Sequence, residues 1–583
     1  MFSAMPQARS GSVRGGGRAI DGAGAVGYLA VVTIIHTHRA RALAFATLLL
    51  TGATPSLRAQ GTGLVASSDL IYADIERLSE LGVLDSIVLG QRPYSRREIA
   101  RIARVARARL ERGVGRSESI TDYAGGVLQR LERFSDATDG SAGNAVISLI
   151  DGVSLSFTST DAVRRGFPAP YSSPTEATID PLSVRRLGTP AVRGRVGALE
   201  VSHRIEPTGW LALQARERVE YRRPTDTSLT GTTGELLLAS VRARYRNAAL
   251  TIGRQQFTWS QSAGDGLFLA SDAPALDQIA LAGDRPFVLP GLLRVLGPTQ
   301  ATLILADLGP SVVRSRSKLL GYKVSIQPGS AVELGGSFIN HFGGTGGRSS
   351  NFSDRLFDFL PFIDVFRTHN YVDTTRTFDV DSDKLLGVDG RVRLDALGGT
   401  VLTGELLIDD FDPRRLPKLL TGYGSQTVAI ILPSLGSPAI SAKLSAKHMG
   451  IITYTHSQLT NGITSRGRLL GEELGPDAKS YSALVRLAPS PGVRLELEGR
   501  TAIYSNATYR AFYSDPAQTR YVVQKTAKIP DELRDLLFAT LILQADDGFA
   551  LTMRGGGERT RNANFVGGRR RDYGAEIALR FGQ

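Results

Sequence analysis

From about Ala145 to the end of the chain, apolar residues recur at every second position, and charged residues fill the positions between them. Leu199, Val201 and Ile205 alternate with Glu200, Ser202, Arg204 and Glu206. After Pro207-Thr208-Gly209 the pattern returns, with Leu211, Leu213, Ala215, Val219 and Tyr221 set against Gln214, Arg216, Arg218, Glu220 and Arg222. A period of two places the two sets on opposite faces of a strand. The unit recurs through Pro328-Gly329, Gly398-Gly399, Pro489-Ser490-Pro491-Gly492 and Asp546-Asp547-Gly548. These tight turns alternate with long segments such as Pro224 to Gly234 and His341 to about Phe378. Short turns at one end, long loops at the other, and one charged face per strand are what a closed transmembrane barrel requires: lipid outside, water or packed polar groups within. A soluble β-sandwich has no reason to alternate its loop lengths in this way. Opposite charges on neighbouring strands are expected to pair across the lumen wall.

The remaining bounds agree with a mainly β chain, a transmembrane antiparallel β-barrel carrying a small N-terminal α-helical bundle. There are 64 glycines, aromatic residues make up 7% of the chain, and the mean hydropathy is −0.06. Repeated apolar runs of roughly 20 residues, as helical membrane spans need, are not found. The chain has no cysteine, which excludes disulfides, thiolate metal sites and a cysteine nucleophile. The part of the 583 residues that follows the helices supports roughly 14 to 20 strands at roughly 10 residues per strand plus connections.

The N-terminal region reads differently. His36 to Arg41 forms a basic stretch, Ala42 to Gly52 an apolar one, and Leu57-Arg58-Ala59 ends in a small residue. Together they predict an export signal over residues 1–59, cleaved after Ala59, with Met1 to Asp21 arising from a start assigned too far upstream. Residues 60–140 have helical period and are expected to form a periplasmic bundle, leaving 141–583 for the barrel. Ile71, Ile75 and Leu78 share one helix face, with Ser68 as the expected cap and Gly82 as the stop. Ser95 and Glu98 form a capping box for a second helix with an Ile99, Ile102, Ala106 and Leu110 stripe. Residues 92–116 hold nine Arg against two Glu, read as a solvated cationic face. Tyr123, Val127, Leu131 and Phe134 mark a third helix over Ile120 to Phe134.

No catalytic constellation is evident. Among the histidines outside the export segment (His203, His341, His369, His448 and His456), none sits in a G-x-S-x-G or H-E-x-x-H context. Asp379-Val380-Asp381-Ser382-Asp383 and Asp409-Asp410-Phe411-Asp412 cluster carboxylates without the glycine and distal glutamate of a calcium loop. No enzyme activity, cofactor or metal is therefore expected. The formal charge of +13 includes +5 from residues 1–60, where six Arg face one Asp, and leaves +8 for the remainder. That surplus favours an acidic partner. Nucleic acid is not expected, because no basic recognition helix accompanies a known fold pattern.

Several motifs in order carry a resemblance. Ser67-Ser68-Asp69 through Asp74-Ile75, Leu78, Gly82 and Leu84 precede Gly253 to Trp259, in which Gln255 and Trp259 lead to Gly264, Gly266 and Ser271. Pro286-Phe287, Gly297-Pro298 and the Gly335 to Gly347 stretch follow, and then Tyr454 to Gly462 and Gly475-Pro476-Asp477. In this order they resemble the Wzi-type capsule assembly family, with Ser260 standing where the family has a small glycine. The resemblance implies 18 strands, helices at the periplasmic mouth, a place in the bacterial outer membrane, and lectin-like, non-catalytic anchoring of capsular or exopolysaccharide at the cell surface. It also implies outer-membrane lipids and the barrel-assembly and polysaccharide-export machinery as partners. Acidic sugars are bound by Arg at the carboxylate and by aromatic faces at the ring. The loop candidates are Arg348, Arg355, Tyr371, Arg376, Arg466, Arg468, Tyr504 and Tyr509, with Arg222, Arg223 and Tyr513 beside them. The alternative reading is a substrate-selective anion porin, whose lumenal Arg rows would steer its cargo.

Overall fold

The computed structural model describes residues 62–582 apart from 114–116, 137–144, 163–164, 167–177, 180–192, 226–229, 262–265, 313, 348–358, 360–381, 410–423, 457–458, 460, 506–508, 514–520, 526–529 and 546–547. The expected export segment lies outside the described residues.

Three helices come first: α1 (Ile71–Glu80), α2 (Arg96–Arg112) and α3 (Glu118–Asp136). The apolar stripes read from sequence are buried in one cluster, including Ile71, Ile75, Leu78, Ile99, Ile102 and Leu131. The start of α1 differs from expectation. Leu70 is its N-cap, and the Asp69 carboxylate accepts from Ile71 N at 2.8 Å, so Ser68 lies too early to cap. Ser95 does cap α2, accepting from Glu98 N at 3.2 Å, while the Glu98 carboxylate turns to Arg101 at 2.6 Å. Asp74 and Arg130 join α1 to α3 through two buried hydrogen bonds of 2.8 Å each. The cationic face of α2 is not simply solvated, since Arg96 pairs with Asp151 at 3.1 Å, Arg97 with Asp284 at 3.4 Å and Arg107 with Glu132 at 2.7 Å. Two of these partners belong to the barrel, which explains why arginines collect on this helix.

The barrel follows. Its first strands are β1 (Val146–Thr160), β2 (Gly194–Thr208), β3 (Leu211–Pro224), β4 (Gly231–Tyr245), β5 (Ala248–Gln255) and β6 (Leu276–Gly283). The next are β7 (Pro298–Asp307), β8 (Lys318–Gly329), β9 (Val332–Phe342), β10 (Ser382–Leu394), β11 (Thr400–Asp409) and β12 (Gly424–Leu432). The last are β13 (Ile440–Met449), β14 (Ala478–Ser490), β15 (Val493–Tyr504), β16 (Glu532–Gln544), β17 (Ala550–Arg561) and β18 (Arg569–Gly582). Each pairs antiparallel with its sequence neighbours, and β1 pairs with both β2 and β18, closing a ring of 18 strands. A closed ring leaves no edge whose backbone groups lack partners, the condition for crossing hydrocarbon with strands.

The two faces divide as the alternation predicts. Leu155, Phe157, Leu199, Ile279, Leu281 and Val428 point outward and are exposed. Inward residues pair across strands: Glu200 lies opposite Arg218 in register and accepts from it at 2.8 Å, and Arg486 meets Glu496 at 3.0 Å. Connections at one end are tight, at 209–210, 246–247, 330–331 and 491–492; those at the other, such as 256–275, 343–381 and 450–477, are long. The segment 284–297 departs from this rule, for it lies at the tight end yet carries a short pairing at Phe287–Val288 and a 3-10 turn over Gly291–Leu296. His341 lies within β9 rather than opening the following loop, because β9 continues to Phe342.

The helices and barrel belong to one compact unit, and the helices sit at the tight-turn end. Arg77 donates to Pro438 O in the 433–439 turn, Arg393 to Glu80 O at 3.3 Å, and Arg580 to Ser68 O at 3.3 Å.

Candidate functional site

A barrel wall lined with charge encloses water or closes around something packed within it. Here the β5–β6 connection, 256–275, folds inward instead of standing outside. Phe257, Trp259, Leu267, Phe268 and Leu269 are buried, and Trp259 is only 1% exposed. Trp259 N donates to Leu269 O at 2.9 Å, which ties the two described arms of the connection together. The 450–477 connection folds in beside it. Tyr454 Oη donates to Leu267 O at 2.6 Å and accepts from Glu472 N at 2.9 Å, while Ala270 N donates to Leu470 O at 2.8 Å. Gly471 is tucked between Tyr454 Oη and Leu267 O so closely that no Cβ fits, which accounts for a glycine there. These residues share one apolar cluster with inward residues of the wall, including Ile304, Leu319, Leu385 and Leu407.

The helical bundle reaches the same column from the opposite end. Arg92 and Thr258 exchange two backbone hydrogen bonds of 2.9 Å, so bundle and inward loop touch inside the lumen. Glu333 on β9 accepts from Leu89 N and Gly90 N at 2.8 Å each, and Gln261 of the loop donates to Glu333 at 3.2 Å. Glu405 on β11 accepts from Leu267 N at 2.9 Å and Gln261 N at 3.2 Å. Lys323 and Gln261 both donate to Asp389. Inward carboxylates thus bind backbone N–H groups that would otherwise be buried without partners. Within the bundle, Tyr72 Oη donates to Val65 O at 2.7 Å and accepts from Tyr94 N at 2.8 Å. Burial pushes its phenol well above the ordinary range, which keeps the donating proton in place. A cavity of about 120 Å³ remains between the bundle and β1–β3, β17 and β18, lined in part by Arg133, Arg216, Arg218, Arg580, Glu200 and Glu576.

Residues 176–412 match the family model described as Capsule assembly protein Wzi. The barrel is Wzi-like. Among solved structures, Escherichia coli Wzi, described as an outer membrane protein involved in group 1 capsule assembly and a carbohydrate-binding β-barrel, superposes with a TM-score of 0.62 at 16% identity. The match covers 89% of this chain and 99% of that one. Pseudomonas aeruginosa OpdL gives a TM-score of 0.41 at 10% identity, with 75% and 98% of the two chains covered. Acinetobacter baumannii OccAB2 gives 0.38 at 13%, with 74% and 98% covered. No curated protein sequence matches the chain.

The Wzi-like motif residues are mostly architectural. Trp259 sits in the column, Gln255 O accepts from Gln278 at 2.6 Å, and Ser271 O accepts from Gln256 at 2.7 Å. Gly475 and Asp477 both have positive φ, and Asp477 N donates to Gly450 O at 3.1 Å, closing the inward 450–477 fold just after Pro476 and before β14. Gly266 has an extended positive φ that brings it against Leu269 O, and Gly264 lies outside the described residues. Of the loop candidates, Arg348, Arg355, Tyr371 and Arg376 lie outside the described residues. Arg466 is half-buried and paired with Glu235; Arg468 is buried and reaches Asp272 at 3.3 Å; Tyr504 is buried at the end of β15 beside Arg534. Tyr509 and Tyr513 bound a short strand paired with Tyr521–Lys525 at the long-loop end. Arg222 pairs with Glu220 at 2.8 Å, and Arg223 is exposed near the end of β3. The structure therefore leaves Arg466 half-buried in an ion pair and buries both Arg468 and Tyr504. The inward fold of 256–275 was not read from sequence, although the apolar run Leu267 to Ala270 inside a nominal loop was its signal.

Proposed function

We propose that this chain is an outer-membrane barrel that binds acidic polysaccharide at its long-loop end, without turnover, and holds it at the cell surface. The tight-turn end and its helices then face the periplasm, where polysaccharide-export and barrel-assembly partners can meet them. One observation carries the reading: the lumen is occupied by a packed column of bundle and inward loops, while the long connections, 284–297 apart, gather at one end. A filled lumen favours a rigid platform for surface loops over passage through the wall. The family match, and the carbohydrate binding named for the Escherichia coli relative, support the same ligand class. The surplus of positive charge favours an acidic polymer.

Binding is expected to rest on several exposed charge-assisted contacts, each worth about 0–1 kcal/mol. Single Arg→Ala changes should then do little, while joint loss of Arg348, Arg355 and Arg376 should release the polymer. Isothermal titration of the purified chain with an acidic capsular polysaccharide tests this, and affinity should fall as salt rises, because exposed charges are screened beyond about 10 Å at 0.1 M. Salt-insensitive binding, or full binding by the triple variant, would sink it.

A further inference from the structure

The outward face of the last hairpin carries an arrangement that neither the column nor the loops use. On β17 and β18 the outward positions are odd-numbered: Met553 and Ile577 belong to the exposed apolar band, and the same parity continues to Arg559, Arg561, Arg569 and Arg571 at the long-loop end. In register, Arg559 lies directly opposite Arg571, and Arg561 opposite Arg569. Two Arg–Arg pairs thus stand side by side on one surface. Like charges directly opposite destabilise a sheet. Asp535 on β16 lies opposite Arg559 in register and meets Arg561 at 3.3 Å, a single acid beside four arginines on these strands. Arg559, Arg569 and Arg571 are exposed and have no ion-pair partner among the described residues. A third such pair, Arg195 opposite Arg223, lies on the outward face of β2 and β3.

Below the arginines the surface is apolar and shaped. Tyr573 is 58% and Leu537 67% exposed, with outward Gly555, Gly557 and Ala575 leaving a shallow strip between them and Met553 and Ile577. The connection above, 562–568, is brief for this end of the barrel and leaves the hairpin uncovered by its own loop.

We propose that the outward Arg559, Arg561, Arg569 and Arg571 form a docking site for the phosphate-bearing headgroup of an anionic outer-leaflet glycolipid, whose acyl chains lie along the strip beneath. Charge complementarity and continuity with the apolar band single out a lipid, since a soluble polymer would not need the wall below. Guanidinium groups suit phosphate because they donate in a fork, and a bound phosphate offsets the repulsion that the four of them create on the bare hairpin. The proposal rests on the outer-membrane reading above and adds a lipid partner to it.

Native mass spectrometry of the full chain released from nanodiscs tests it, using phosphatidylcholine doped with bisphosphorylated lipid A or with its dephosphorylated form. The wild type should retain the phosphorylated lipid selectively. R559Q/R569Q/R571Q should retain it about tenfold less, a difference corresponding to a tenfold change in binding constant. R104Q/R112Q/R246Q, an equal charge change away from the hairpin, should behave as wild type, and heat-modifiable gel migration checks that each variant is folded. Equal retention of both lipids, or equal loss in both triple variants, overturns the proposal. So does a hairpin variant that keeps the lipid but loses acidic polysaccharide, which would assign the patch to the polymer. Failure of the wild type to enter any bilayer overturns the outer-membrane reading as well; insertion without selective retention overturns this inference alone.

Discussion

The two ends of the lumen are closed by different means. At the tight-turn end the helices are fastened through charge and backbone: Glu333 holds two N–H groups, Arg77 reaches Pro438 O, and Arg96 and Arg97 find Asp151 and Asp284. At the long-loop end apolar packing of Trp259, Leu267, Phe268, Tyr454 and Leu470 against wall residues dominates, with Glu405 also holding the Gln261 and Leu267 N–H groups. A charged wall can thus be covered in two ways. Polar groups suffice where the helical bundle supplies matching donors, and aliphatic packing takes over where the wall's inward residues become Ile, Leu and Ala. Apolar closure leaves few free polar groups and depends on shape, whereas polar closure depends on every hydrogen bond being made.

The comparison can be broken from either side. The largest effect is expected at the apolar end, where Trp259→Ala removes a large, fully buried side chain and should cost about 3–5 kcal/mol. Urea-induced unfolding followed by gel mobility should show it, together with proteolysis inside 256–275. Asp74→Ala should cost a comparable or slightly smaller amount, about 3–5 kcal/mol, by stranding the buried Arg130 guanidinium. Its proteolytic cuts should map to the helices rather than the loops. Glu333→Ala leaves the Leu89 and Gly90 N–H groups without their carboxylate and should cost about 1–3 kcal/mol, read as faster amide exchange at those two residues. Arg316→Ala sets the lower bound: the residue is 70% exposed beside Asp307, and the change should stay within about 0–1 kcal/mol. A Trp259→Ala effect as small as that of Arg316→Ala would mean that the inward loop does not close the barrel.

Much of this was legible in the sequence because the wall repeats. Alternation fixed which face of β2 or β3 meets the interior, and the Pro-Gly and Pro-Thr-Gly turns marked the hairpins. The helical stripes were equally plain, since Ile71, Ile75 and Leu78 recur at helical spacing and are buried together. What escaped was tertiary. Arg96 and Arg97 look like a solvated face until Asp151 and Asp284 are brought near, and neither acid is close in sequence. Arg468 and Tyr504 have the residue types of a sugar site, yet both are buried. The loop 256–275 has turn-like composition, and its inward course follows from the column it packs against rather than from any local pattern. The family motifs proved most informative about closure, because Trp259, Gly475 and Asp477 organise the inward loops.

The closed lumen is the central claim, and single-channel recording of the purified full chain in a planar bilayer tests it most directly. No discrete conductance steps are expected at neutral pH under modest voltage, with or without acidic polysaccharide on the loop side. Reproducible anion-selective steps from the intact chain would contradict closure and return the barrel to the porin class.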